Sequence, residues 1–251
     1  DTLGSRSVAV GRHALGTQNF TTATNAYNTA VGYSAGIQVT TGQLNTLIGG
    51  DAGDALTDAD QNTAVGYSAL SSDTLGSQST AVGYQALFSQ NFTTGTDARN
   101  TAVGYNAGSE VTTGTGNVLI GATAGDAITT GADNVVIGYS AGTYQANLTT
   151  ANGNVLIGPY TDSTDGTTAY AHGLGYNIDC APGYTTFGLG TADIRAEHGV
   201  ATWNTVSDER YKKDIVDSTA GLLFIKALKP RTLKYKTLGE LPETFRAYEA
   251  D

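Results

Sequence analysis

The sequence has few of the residues on which disulfide-rich scaffolds and metal sites depend. It holds one cysteine, one tryptophan, four prolines and no methionine in 251 residues, and 14% of its residues are charged. A single cysteine, Cys180, excludes an internal disulfide framework and a multi-cysteine zinc site. No apolar run approaches the roughly 18 residues of a membrane helix, so we expect no membrane insertion. The lack of a signal peptide and of a starting Met predicts a processed or trimmed chain.

Basic residues are scarce except at one end of the chain. The formal net charge is −10, and such a charge repels phosphate, so a nucleic-acid partner is not expected. All lysines follow residue 211, and residues 1–206 contain only four arginines as basic residues. Two kinds of structure therefore meet near Val206, where we place a domain boundary.

Glycine is abundant, with 33 residues, and it marks an internal repeat. The phrase Asn100-Thr-Ala-Val-Gly-Tyr105 recurs along the chain and alternates with an aliphatic version, Asn117-Val-Leu-Ile-Gly121. The central glycines follow one another in steps of 17 residues, with occasional steps of 20 or 21. A fixed step of this kind is typical of a solenoid. The aligned glycines are Gly11, Gly32, Gly49, Gly66, Gly83, Gly104, Gly121, Gly138, Gly158 and, weakly, Gly175.

Each repeat contains one short strand of about five residues, with apolar or small side chains on both faces. In Asn117–Gly121, Val118 and Ile120 share one face and Leu119 takes the other. One face is expected to pack inside the coil and the other against a neighbouring chain. The sequence therefore predicts an all-β fold, a repetitive parallel β-roll or solenoid that assembles as a homotrimer. A β-sandwich with similar strands is the alternative, and the near-fixed step disfavours it.

The repeat phrase resembles the head repeats of trimeric adhesins and the glycine-rich repeats of bacteriophage tail fibres. The resemblance spans roughly residues 5–160 and indicates architecture better than activity. We assign residues 1–158 to the repeats. Residues 159–206, which contain decayed repeats and Trp203, are expected to form a cap and neck, because terminal repeats are usually atypical.

Residues 207–251 are expected to begin a small α+β domain. The segment 205–236 resembles the start of the intramolecular chaperone domain (the S74 peptidase family) of phage tail fibres and tailspikes, which is usually longer than the 45 residues present here. That family has a Ser-Asp-x-Arg-x-Lys-x-x-Ile pattern followed by a helix, Leu-x-Pro and a strand. The matching positions are Ser207, Asp208, Arg210, Lys212, Ile215, Leu228 and Pro230.

The resemblance implies self-cleavage at the Val206–Ser207 bond, with Ser207 as nucleophile and Lys212 as base. A serine hydroxyl needs an adjacent base, and a lysine can serve only if burial lowers its pKa. Lys213 is a nearby competitor whose spacing does not match. The structural alternative is that Ser207 caps a helix, as we expect of Ser218.

Other candidate site residues favour structural roles. The dispersed histidines do not suggest a catalytic triad or a metal cluster, and Cys180 is expected to be a small packed residue. Four aspartates suggest either a cation-binding loop or, as we prefer, a solvated turn. The tyrosines that follow the repeat glycines favour repeat packing over sugar stacking. These residues are His13, His172 and His198; Asp51, Asp54, Asp58 and Asp60; and Tyr33, Tyr67, Tyr84, Tyr105 and Tyr139.

Together these patterns predict a trimeric viral tail fibre that attaches to a host surface and carries a self-cleaving chaperone. The expected partners are two further copies of the chain, a host glycan or protein receptor, and other virion tail proteins. We expect an extracellular location on the virion, no cofactor, no metal and no activity on an external substrate. The alternatives are a tailspike enzyme that degrades surface polysaccharide and a bacterial trimeric adhesin.

Overall fold

The computed structural model describes residues 3–167, 169–200 and 204–205. In these residues the chain is all-β, and no helix is present that is long and apolar enough to cross a membrane. The expected α+β segment 207–251 lies outside them.

The described residues form nineteen strands, most of them only two or three residues long. The first ten are β1 (Gly4–Ser5), β2 (Val8–Val10), β3 (Thr24–Asn25), β4 (Thr29–Val31), β5 (Thr46–Ile48), β6 (Thr63–Val65), β7 (Gly76–Ser77), β8 (Thr80–Val82), β9 (Thr96–Asp97) and β10 (Thr101–Val103). The other nine are β11 (Val118–Ile120), β12 (Val135–Ile137), β13 (Val155–Ile157), β14 (Asp162–Ser163), β15 (His172–Tyr176), β16 (Asp179–Cys180), β17 (Tyr184–Leu189), β18 (Ala192–Glu197) and β19 (Asn204–Thr205).

The main sheet has 13 strands, and its parallel part follows the sequence repeat. Thr63 pairs with Thr80 and Ala64 with Ala81, so each strand lies beside its counterpart in the next repeat. The same register holds from β2 to β17, giving a parallel β-solenoid of about 11 turns. The predicted β-roll or solenoid is confirmed, and the sandwich alternative is excluded for this part of the chain.

Each three-residue strand of the main sheet from β4 to β13 turns its middle side chain inward. In β11, Leu119 is fully buried, whereas Ile120 remains 38% exposed on the outer face. The alternation predicted for this repeat is therefore correct. The strands have three residues rather than the expected five, because Asn117 turns its amide into the interior and Gly121 leaves the β region with a φ of +133°.

The central glycines form a column in which successive backbones nearly touch. A Cβ added to Gly104 would lie 2.4 Å from the carbonyl oxygen of Gly121, and Gly104 has a φ of +142°. Only glycine fits such a close approach with this backbone conformation. The glycine repeat thus follows from the stacking of the turns.

Buried asparagines precede the strands and form a ladder along the interior. Asn117 Nδ2 donates to the carbonyl of Gly131, and Asn117 Oδ1 accepts from the backbone N–H of Asn134. Each side chain thus bonds the next turn, which satisfies buried groups that the short strands leave unpaired. The buried members are Asn28, Asn45, Asn62, Asn100, Asn117, Asn134 and Asn154.

Serine replaces asparagine twice, and each time a glutamine restores the missing bonds. Gln90 Nε2 donates to Ser79 Oγ, while Gln90 Oε1 accepts from Asn100 Nδ2. Ser7 and Gln18 make the corresponding pair with Asn28. Both glutamines begin a Gln-Asn-Phe-Thr-Thr insertion, so the two 21-residue steps of the repeat occur where the ladder changes its chemistry.

Beyond Gly158 the parallel register continues before the sheet changes direction. Strand β13 pairs with β15 and β15 with β17, all in parallel. Strand β18 then pairs antiparallel with β17, and β19 antiparallel with β18. The hairpin β17–β18 thus adds antiparallel strands at this end of the sheet.

Candidate interaction surface

The predicted catalytic and cleavage residues, Val206, Ser207 and Lys212, lie outside the described residues, as does the competitor Lys213. Their roles therefore stay predictions. The candidate interaction surfaces of the described residues all lie on the solenoid.

The outer face of the parallel sheet carries no Asp, Glu, Lys or Arg side chain. The first and third residues of each paired segment point outward, so they form two columns that run from β2 to β17 in register. One column is threonine and valine except for His172. The other is entirely apolar: Val10, Val31, Ile48, Val65, Val82, Val103, Ile120, Ile137, Ile157, Leu174 and Phe187.

This uncharged face remains accessible in the single chain. Val10 is 56% exposed and Leu174 is 48% exposed. At the C-terminal end of the solenoid, from β13 to β18, which we call the distal end, Ile157, Leu174 and Phe187 line an apolar depression on the same face. With neighbouring strands about 4.8 Å apart, eleven strands span about 50 Å. An apolar patch of that length is typical of an interaction surface.

The tyrosines that follow the repeat glycines lie at the edge of this face. Tyr67, Tyr84 and Tyr105 stack on one another, with centroid distances of 5.8 and 5.3 Å and interplanar angles of 17° and 10°. Offset stacks of this kind are favourable contacts. For these three residues the expected repeat packing is confirmed.

A polar groove of about 620 Å³ borders the tyrosine column. Asn106, Glu110, Thr123, Asp126 and Tyr139 are among its lining residues. Burial raises the pKa of the Asp126 carboxyl, and a hydrogen bond from the Thr143 side chain partly offsets this rise. Asn106 Oδ1 is buried and has no hydrogen-bond partner. The side chains that line the groove therefore offer hydrogen-bond acceptors next to the Tyr139 ring.

The aspartates considered as cation ligands do not converge. Within the described residues, no group of three or more His, Cys, Asp or Glu side chains is placed to hold a metal ion. Asp60 Oδ1 instead accepts the backbone N–H of Gln43. Burial, followed by the charge of Asp51, raises the pKa of Asp54 to about 6.

Two histidines that are distant in sequence lie together at the distal end. The ring centroids of His172 and His198 are 4.6 Å apart, and His198 Nε2 lies 3.1 Å from Thr185 Oγ1. Burial, followed by the charge of His198, lowers the pKa of His172. In the sequence these two residues are 26 positions apart, and we expected no cluster from them. Only the antiparallel return of β18 brings them together, so the repeat pattern carried no signal for the pair.

Cys180 is a packed residue, as expected. It is fully buried, and burial, reinforced by nearby aspartates, raises the pKa of its thiol to about 12. A thiol that remains protonated is a poor nucleophile. Cys180 therefore belongs to the core of the distal end.

Comparisons with known proteins give no identification. The chain matches no protein-family model, and no curated protein or solved structure is significantly similar to it.

Proposed function

We propose that this chain is a structural and attachment subunit of a viral tail fibre, in which three solenoids associate along their outer sheet faces. The observation that carries the proposal is the two-column face from β2 to β17, which contains no Asp, Glu, Lys or Arg and a single histidine, His172. A one-sided sheet in a soluble monomer normally turns polar residues to water. A face that is uncharged over about 50 Å is better explained by burial against further copies.

The identical spacing of the turns supports self-association in particular. Each turn repeats the same outward valine or isoleucine, so two parallel copies in register bring equivalent side chains together at every level. Closed cyclic assemblies of identical subunits use such repeated surfaces. In such a trimer the other surfaces of each solenoid stay exposed to solvent. A stiff parallel assembly of this kind suits a protein that holds a host-binding site away from a virion, whether the receptor is a glycan or a protein.

The assembly is tested by sedimentation of the full chain at micromolar concentration. The wild type should sediment as a trimer, and Ile120→Lys should reduce that species strongly by placing a charge on the outer face. Thr113→Lys, in the same turn but off that face, is the control and should remain trimeric. A folded wild-type monomer would contradict the proposal.

The proposed C-terminal activity is a single self-cleavage that follows assembly. Ser207 Oγ attacks the carbonyl of Val206 while Lys212 accepts the hydroxyl proton and returns it to the Ser207 amine as the C–N bond breaks. Water then hydrolyses the resulting ester between Val206 and Ser207 Oγ, which releases the segment that follows. Burial of Lys212 on trimerisation would supply the lowered pKa that this step requires. Other virion tail proteins would bind the released fibre.

Self-cleavage is tested on gels of a precursor that contains the complete chaperone domain. Ser207→Ala should abolish cleavage and Lys212→Ala should nearly do so, whereas Lys213→Ala should cleave normally. Normal cleavage of the Ser207→Ala precursor would remove the serine from the mechanism and leave the segment as a structural neck.

A further inference from the structure

Between Tyr33 and Tyr139 the tyrosine column is interrupted at two equivalent places. Gly50 occupies the column between Tyr33 and Tyr67, and Ala122 occupies it between Tyr105 and Tyr139. Each interruption removes one ring from an otherwise regular stack. The result is a gap with a small residue as its floor and a tyrosine on either side.

The rings beside these gaps have a free face. Tyr84 is stacked on both sides and is 43% exposed, whereas Tyr105, which stacks only on Tyr84, is 55% exposed. Because Tyr84 covers one face of Tyr105, the other face is turned toward Ala122 and the gap. At the other gap Tyr67 stacks on Tyr84 with one face, and its ring lies over Gly50, since a Cβ on Gly50 would lie 3.3 Å from Tyr67 Cδ2.

The width of a gap fits one ring between two tyrosines. Two strand spacings of about 4.8 Å place the flanking tyrosines roughly 9.6 Å apart. Tyr84 occupies an interval of this kind between Tyr67 and Tyr105, at centroid distances of 5.8 and 5.3 Å. A saturated sugar ring fits the same interval, and its C–H groups carry the partial positive charge that the negative face of an aromatic ring attracts.

Polar groups beside the Ala122 gap match the hydroxyls of such a ring. The groove that Tyr139 lines is also lined by Asn106 and Thr123, which directly follow Tyr105 and Ala122 in the sequence, and by the carboxylates of Glu110 and Asp126. These groups accept hydrogen bonds from hydroxyls, and the two carboxylates repel an anionic ligand.

We propose that the gaps in the tyrosine column are binding sites for an uncharged pyranose, with the sugar ring held between Tyr105 and Tyr139 above Ala122. The Gly50 gap between Tyr33 and Tyr67 is the second copy of the site. This inference rests on the proposed role in host attachment, for which it names the receptor chemistry as neutral surface glycan.

The test is saturation-transfer NMR of the full chain with methyl glucoside, methyl galactoside and methyl mannoside as probes and methyl glucuronide as the anionic counterpart. At least one neutral pyranoside should show transfer to its ring C–H protons, and the glucuronide should show none. The double variant Gly50→Tyr/Ala122→Tyr fills both gaps and should reduce the transfer at least fivefold.

The matched control is Tyr84→Ala, which removes a ring from the same column. Because it opens a third gap between Tyr67 and Tyr105, it should keep or increase the transfer. Undiminished transfer to the filled double variant, loss of transfer in Tyr84→Ala, or no transfer from any neutral pyranoside to the wild type would each overturn the proposal.

Sedimentation of the same samples separates this result from the proposed assembly. A trimeric wild type that shows no transfer contradicts the sugar site alone. A loss of trimer in both tyrosine variants would instead assign the tyrosine column to the subunit interface and overturn the sugar site.

Discussion

The regular turns and the distal end of the solenoid use the same backbone register with different side chains. From Asn28 to Asn154 a buried amide links each turn to the next, with Ser79 and Gln90 replacing one member. At Ala171 the ladder stops, yet β13, β15 and β17 still pair in parallel. The main-chain hydrogen bonds therefore maintain the register, and the amide ladder satisfies buried polar groups within it.

Buried polar side chains lack hydrogen-bond partners more often at the distal end than in the regular turns. Buried oxygens of Asn177 and Asp193 have no hydrogen-bond partner, and the antiparallel strand β18 follows directly. Because β18 is antiparallel, it ends the parallel pairing through which each repeat is aligned with the next. The comparison suggests that glycine and asparagine columns set the stability of the regular turns, while local contacts set that of the distal end.

The largest effect is expected where the glycine column is disrupted. Gly104→Val places a side chain against the carbonyl of Gly121 at a φ of +142°. Overpacking and backbone strain together should cost on the order of 3–5 kcal/mol per chain, seen as a lower melting temperature. Gly95→Val, where nothing lies within 4 Å, is the control. An unchanged melting temperature for the Gly104 variant would refute the packing role of the column.

A smaller effect is expected from breaking the amide ladder. Asn117→Ala leaves the Gly131 carbonyl and the Asn134 N–H without their side-chain partner. Leaving two buried groups unpaired should cost about 2–4 kcal/mol in denaturant unfolding. Asn152→Ala, which removes an exposed amide, should cost less than about 1 kcal/mol. Equal losses of unfolding free energy in the two variants would show that a buried ladder amide contributes no more than an exposed one.

The smallest effect concerns the histidine pair at the distal end. The folded pKa of His172 is lowered from its ordinary 6.5, so the folded state binds fewer protons than the unfolded state. Stability should be constant above about pH 6.5 and should fall as the pH drops below it. Because His172 is partly exposed, the loss of unfolding free energy at low pH should stay below about 1 kcal/mol.

Melting curves between pH 7 and pH 5 measure this loss. His172→Asn should remove it, and His13→Asn, in the first turn, should leave it in place. A melting temperature that falls equally in the wild type and in His172→Asn would place the pH dependence elsewhere.

Much of the fold was predictable because a solenoid is local in sequence. The step between Gly104 and Gly121 gives the length of one turn, and the alternation in Val118, Leu119 and Ile120 gives the inward side. Parallel pairing then follows from repeating the same unit. The strand length was overestimated, because the sequence does not reveal that Asn117 bonds the next turn rather than continuing the strand.

The sequence by itself determined the repeat step, the glycine column and the inward face, since each depends on residues within one turn and its neighbour. Only the tertiary structure decided which groups from different turns meet. The contact of His172 with His198 depends on the antiparallel return of β18, and the open face of Tyr105 depends on the missing ring at Ala122. Such contacts join residues that share no repeat phrase, so their geometry exists only after the turns have stacked.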